Sequence, residues 1–231
     1  PDAGKLLGII NQVATPILTK EHKSIEPDWV KEFTVPGVDK LNTAIQACDK
    51  KTEEISKERD GIYIERKKML NVCALLFEQG RQLESAVIEG LCRLGFSAKN
   101  FTKLDMEHDV ILECNEGRGI AEVEGRDNES VHIGKLDQLS RVLDEDFNEN
   151  GSYSEGILIG NGFRLTRPEN RESQFTDKVK IAAKRKKLGL LTTCELYKAV
   201  IKVLENPMDE AFKEECRKRI LKNKGEEIVL V

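Results

Sequence analysis

The positions best suited to chemistry are three carboxylates, Asp109, Glu122 and Glu124, carried on two short apolar stretches joined by a polar turn. The first stretch is Asp105-Met106-Glu107-His108-Asp109-Val110-Ile111-Leu112-Glu113. The second is Ile120-Ala121-Glu122-Val123-Glu124-Gly125, and Cys114-Asn115-Glu116-Gly117-Arg118-Gly119 lies between them. Apolar runs of this length around a Gly-containing turn predict an antiparallel hairpin. Glu122 and Glu124 are two residues apart and therefore share one face of their strand. A turn centred on Glu116-Gly117 sets Asp109 opposite Glu124 and brings all three carboxylates to that face, whereas a slip of one residue sends Asp109 to the other. Carboxylates crowded in this way repel one another unless something relieves the charge. A hard divalent cation does so, taking carboxylate oxygens and keeping waters or phosphate oxygens in its other positions; plain solvent on the exposed side of a hairpin does so as well.

The elements needed to hold these residues can be read on either side. Residues 82–94 place Leu83, Ala86, Val87, Leu91 and Leu94 on one helical stripe, with Glu84 beside it and Gly95 as the stop. Residues 96–101 suit a first strand, and 126–130 a polar loop. An amphipathic helix is expected over 132–147, a buried strand over 156–160 and another over 188–191. Thr192 or Thr193 then caps a helix over 195–204.

This order of helix, strand, acidic hairpin, helix and strand resembles the PD-(D/E)xK, or restriction-endonuclease-like, nuclease superfamily, which includes Holliday-junction resolvases and DNA-repair nucleases. The resemblance covers residues 80–205. It implies an α/β fold, a restriction-endonuclease-like core with a central mixed sheet flanked by helices, here preceded by a long helical arm. Carried over position by position, Asp109 and Glu122 match the acidic motif residues and would hold Mg²⁺ or Mn²⁺ together with the main-chain carbonyl of Val123. Glu84 matches an acidic residue brought to the edge of the site. Where the pattern usually has Lys, this chain has Glu124, placed to orient or deprotonate the attacking water or to help hold a second ion. Lys135 and Gln138, three residues apart on one helical face, match the helix that often supplies a residue to the scissile phosphate, and one of them would take over the role of the missing lysine. The resemblance thus implies a Mg²⁺-dependent nuclease hydrolysing DNA phosphodiesters, in genome defence or DNA repair. Members with altered motifs also include inactive modules that bind DNA or protein, so that reading stays open beside the first.

The basic positions are densest between 164 and 187, where Arg164, Arg167, Arg171, Lys184, Arg185 and Lys187 form the candidate nucleic-acid contact. A solvated helix end stabilised by its own dipole is the rival explanation for the lysines. Ahead of the nuclease-like region, Val38, Leu41, Ile45, Cys48, Thr52 and Ile55 step by three and four within a highly charged background. After Gly61 the pattern resumes with Ile62, Ile64, Met69, Val72, Leu75 and Leu76. It predicts a long helical arm reaching residue 79 that serves either as a coiled-coil element pairing two copies or as a helix laid back on the domain. The expected organisation is a connecting segment over 1–36, with a short apolar stretch at 5–13 and Trp29 packed as an anchor. The arm follows over 37–80, the nuclease-like domain over 81–206, and a helix with an apolar tail over 207–231, the tail packing on the arm or on a partner.

Composition narrows the class further. With 231 residues and 39% hydrophobic content the chain can bury a substantial core, while 34% charged content fits long exposed helices. A net charge of -4 leaves nucleic-acid binding to the local field at the site. Six scattered cysteines without a C-x-x-C pair, and three histidines, argue against a structural zinc site or a disulfide framework and suit free thiols in a reducing cytoplasm. No apolar run approaches membrane-spanning length. The start at Pro1, without Met or a leader, suggests a fragment or processed product with a further N-terminal domain.

Overall fold

The computed structural model describes residues 25–103, 106–223 and 225–231, and over 101–109 the backbone alone. The apolar stretch at 5–13 lies outside the described residues. By its internal contacts the chain divides into two units, Pro1–Asp60 and Gly61–Val231.

The arm is a single helix, α1, over Val38–Leu70, with no buried residue. Gly61 does not interrupt it; one glycine costs a long helix about 1 kcal/mol, too little to break it. The helix stops at Leu70 rather than continuing to 79. A 3-10 turn over Asn71–Cys73 and the short α2, Ala74–Phe77, follow, because Val72, Ala74 and Leu75 leave the stripe to enter the core. Trp29 is not a buried anchor. It is 59% exposed and meets Phe33 edge-on at 5.8 Å.

In the second unit, α3 (Gly80–Arg93) is followed by β1 (Ser97–Lys103), β2 (Met106–Cys114) and β3 (Gly117–Gly125), and then by α4 (Gly134–Asn150) and β4 (Glu155–Asn161). The chain continues through α5 (Asp177–Lys186), β5 (Gly189–Thr192), α6 (Thr193–Glu205) and α7 (Glu210–Leu221). The strands form one five-stranded sheet in chain order. β1, β2 and β3 are antiparallel neighbours, while β3, β4 and β5 run parallel, each parallel step crossing over through a helix. The expected mixed sheet flanked by helices is therefore present, in the expected order of elements.

Side-chain alternation distributes the sheet between two cores. Val110, Leu112, Ala121, Val123, Ile157 and Ile159 pack with α3, α6 and α7 on one face. Ile111, Ile120, Leu158 and Leu190 pack with α4 and α5 on the other. Burying both faces explains the near-continuous apolar runs of β3 and β4. The tail is part of the first core. Ile228 and Leu230 are buried there, Leu190 N donates to Glu226 O, and Ile228 N donates to Leu190 O. Glu195 on α6 accepts from the N–H groups of Leu230 and Val231. The tail thus packs on its own domain, because the outer edge of β5 offers both backbone hydrogen bonds and apolar cover.

One side chain ties the hairpin to the helices. Arg217 on α7 donates from Nε and NH2 to the two oxygens of Glu116, in the β2–β3 turn, and from NH1 to Leu94 O at the end of α3. Gly95, at φ +90°, leaves room for it, since a Cβ there would lie 2.6 Å from NH1. The guanidinium holds the Glu116 carboxyl down at about 2. A folded-state value below the ordinary carboxylate range of about 4.3 means that the contribution is complete above that range and is lost as pH falls toward the folded value. Glu116→Gln is therefore expected to lower the melting temperature at neutral pH, with the gap to the unsubstituted protein closing as pH is taken from about 5 down to 2. Thermal unfolding across that series checks it, and a gap that does not change with pH would contradict the assignment.

Candidate active site

The hairpin register places the acidic positions. Cys114 pairs with Gly117 and Val110 with Ala121, so the turn centres on Asn115-Glu116, one residue earlier than the centre inferred from the sequence. Continued by one residue, this register sets the backbone of Asp109 across from Glu122 rather than Glu124. The side chain of Asp109 lies outside the described residues.

Glu122 and Glu124 project on the face covered by α4, the same face as Ile120, while Val123 turns its side chain into the opposite core. Both carboxylates are buried, at 2% and 8% exposure. Charges so far from water need partners. Glu122 has Lys135, from the first turn of α4, whose Nζ donates to Oε1 at 2.5 Å, and the same ammonium donates to Gln138 Oε1 at 3.3 Å. Leu136, Leu139 and Val142 seat α4 in the core, and this stripe turns Lys135 and Gln138 toward β3. The structure therefore brings together Glu122, Lys135 and Gln138.

Glu124 has a different partner. Arg126 donates from Nε to its Oε1 at 2.7 Å and from NH1 to Glu129 Oε1 at 3.1 Å. Oε2 of Glu124 is buried and makes no hydrogen bond to the described residues. Arg126 belongs to the polar run 126–130, read from sequence as loop alone. Its position two residues after Glu124 was the available signal, because period two continues past the strand end. Its backbone is fixed as well, N donating to Asn161 O and O accepting from Arg164 N. An open cavity of about 410 Å³ adjoins it, lined by Gln79, Gly125, Arg126, Asp127, Asn128 and Glu129.

Long-range bonds hold the entry to α3 against this end of the sheet. Asn161, fully buried at the end of β4, donates to Glu78 O at 2.9 Å, and Arg164 donates to Phe77 O at 2.6 Å and to Asp127 Oδ1 at 2.6 Å. Arg171 donates to Leu76 O, Arg164 O, Thr166 O and Asn161 Oδ1, and lies 3.3 Å from Cys194 Sγ. Gly125 completes the approach, for a Cβ there would meet Gln79 Cβ at 2.7 Å. Glu84 is half-buried on α3, near this anchored start, on the helix that covers the face opposite Glu122.

The six basic positions thus divide by role. The guanidinium groups of Arg164 and Arg171 are committed to main-chain carbonyls. Arg167 is exposed and paired with Glu169 at 3.3 Å. Lys184, Arg185 and Lys187 are exposed at the end of α5, and the neighbouring Lys186 bridges to Asp137 and Ser140 on α4.

Among the described residues no group of three His, Cys, Asp or Glu side chains is arranged to hold a metal ion, and no helix is long and apolar enough to cross a membrane. No protein-family model and no curated protein matches the chain. Among solved structures it is similar to the restriction endonuclease FokI, at a TM-score of 0.46 and 15% identity, over 67% of this chain and 30% of that one.

Removing the ammonium while leaving Glu122 in place takes a cationic partner from a buried carboxylate. Lys135→Met is expected to cost about 2–3 kcal/mol, below the ~3–5 kcal/mol of a fully buried pair, because Lys135 keeps 30% of its side chain exposed. The double substitution Lys135→Met with Glu122→Gln should cost less than the sum of the two singles. Urea unfolding of the four proteins measures the coupling, and strict additivity would show that the pair contributes nothing.

Proposed function

We propose that this chain is a divalent-metal-dependent nuclease that hydrolyses DNA phosphodiester bonds at a site built from Asp109, Glu122, Glu124 and Lys135. The observation that carries the reading is the burial of two carboxylates on the α4 face of β3, Glu122 against the Lys135 ammonium and Glu124 against Arg126. A buried ion pair is a poor source of stability compared with an apolar pair of similar volume, so its place at the end of parallel strands, where α/β sheets bind ligands, favours function.

The donor chemistry fits a hard cation. Glu124 Oε2 is a buried carboxylate oxygen without a hydrogen-bond partner among the described residues, and the hairpin pairing, which ends at Val110 opposite Ala121, would bring the backbone at 109 beside Glu122 if carried on by one residue. Asp109 and Glu122, with the Val123 carbonyl, would hold Mg²⁺ or Mn²⁺. When bound, the ion would neutralise charge on the phosphate and acidify an attacking water. Lys135, where it lies against Glu122, is placed to stabilise charge developing on a phosphate oxygen, as the motif lysine would from the strand. Gln138 keeps the ammonium oriented. Glu124 orients the water or accepts its proton. Arg167, Lys184, Arg185 and Lys187 supply the exposed phosphate contacts, and Arg164 and Arg171 hold the loop that carries Arg167.

The Arg126–Glu124 pair favours a second reading, a nuclease-derived module that binds DNA or protein without cutting it, because one oxygen of that carboxylate is already held by a guanidinium. Incubating the full chain with supercoiled, linear and single-stranded DNA in Mg²⁺, Mn²⁺ or chelator separates the two. Cleavage is expected with either metal and not with chelator. Asp109→Ala should abolish it, and Lys135→Met should slow it by about 10²- to 10³-fold with DNA affinity retained. Retained DNA binding without cleavage of any form in either metal would leave the binding module.

A further inference from the structure

We propose that α1 pairs with the α1 of a second copy of this chain in a parallel, in-register, two-stranded coiled coil. The helix is 33 residues long and buries none of them. Val38, Leu41, Ile45, Ile55, Ile62 and Met69 are nevertheless 40–65% exposed, apolar positions left open from one end of the helix to the other. Such positions on a charged helix mark an interaction surface. Their spacing selects the partner. Val38, Ile45, Thr52, Arg59 and Arg66 recur every seventh residue, and Leu41, Cys48, Ile55, Ile62 and Met69 do so three residues further on. This is the a/d repeat of a supercoiled helix pair, with β-branched Val, Ile and Thr at the first three a positions, the preference of two-stranded assemblies.

Charge then fixes orientation. Arg59 and Arg66 occupy a positions, where two copies of one arginine face each other and repel. Each is preceded by a glutamate, Glu58 and Glu65, at the g position. In a parallel, in-register pair the g residue of one helix flanks the following a residue of the other. Each arginine layer therefore receives two glutamates and becomes neutral. In the single helix Arg59 has weaker, local partners, Ser56 Oγ at 3.3 Å and Asp60 Oδ1 at 3.1 Å, both exposed. Polar a residues of this kind cost stability and specify register. Gly61 falls at an outward c position, where it does not touch the seam. The same register sets Cys48, at d and exposed, against Cys48 of the second copy.

Sedimentation equilibrium of the full chain over a concentration series is expected to show twice the chain mass of 26.1 kDa. Ile55→Asp should return a single chain, its retained helical circular dichroism showing that the fold survives. Arg59→Glu should do the same by setting four glutamates in one layer, and the swap of Glu58→Arg with Arg59→Glu should restore the dimer. Diamide, which accepts two electrons and two protons as two thiols join, is expected to give a covalent dimer that Cys48→Ser removes. A single-chain mass at every concentration, or a dimer that survives Ile55→Asp, would overturn the pairing. A dimer without the Cys48 cross-link, or one indifferent to Arg59→Glu, would overturn the parallel register.

Discussion

The need to neutralise two carboxylates buried on the central strand constrains the surroundings of the site. Glu122 and Glu124 lie where the alternation of β3 would otherwise continue the apolar row begun by Ile120, and both are buried. Two cations answer them from different places, Lys135 from the helix that crosses over to β4 and Arg126 from the chain leaving the strand. The position of α4 along the sheet is thereby set by charge as well as by packing. A shift of one turn, about 5.4 Å, would keep Leu136 and Leu139 against apolar neighbours but would part Lys135 from Glu122. Apolar contact alone gives the layer, and the ion pair gives it a register.

A second constraint acts on the opposite face. The last turn of α2 and the two residues after it, 76–79, are held by donors from Asn161, Arg164 and Arg171, far away in sequence. The guanidinium groups of Arg164 and Arg171 satisfy the Phe77 and Leu76 carbonyls, acceptors that the last turn of a helix leaves without an intrahelical partner. At the other end of α3, Arg217 joins Leu94 O to the hairpin turn. The entry to α3 is thus tied to the end of β4 and the segment after it, its other end to the hairpin turn, and the hairpin is held from its turn as well as from its neighbours.

Much of this was legible in the chain because it depends on local periods. Period two places Glu122 and Glu124 together, the three-residue step places Lys135 beside Gln138, and the order of apolar runs matches the order of elements. What depends on distant partners was not legible. Nothing near Arg164 or Arg171 announces that Phe77 and Leu76 carbonyls await them, and as bare sequence they are indistinguishable from phosphate-binding arginines. The turn centre also escaped reading, since Asn115-Glu116 and Glu116-Gly117 both suit a tight turn. The two-residue change it makes in pairing preserves faces and alters only which residue lies opposite. The end of α1 at Leu70 follows from Val72, Ala74 and Leu75 entering the core, a choice that periodicity alone does not distinguish from continuation.

The chain end laid along β5 has a bearing on handling and turnover. At Leu190 both outward backbone groups are already taken, one by Glu226 and one by Ile228, so an incoming strand from another molecule finds no open pair there. The sheet rim on that side is closed by seven residues that follow Lys224 and carry little structure of their own. A protease nick near Gly225 would expose a strand edge and the apolar seats of Ile228 and Leu230 in one event, converting a sealed rim into an aggregation-prone one. Residues 225–231 thus cover a strand edge that would otherwise stand open.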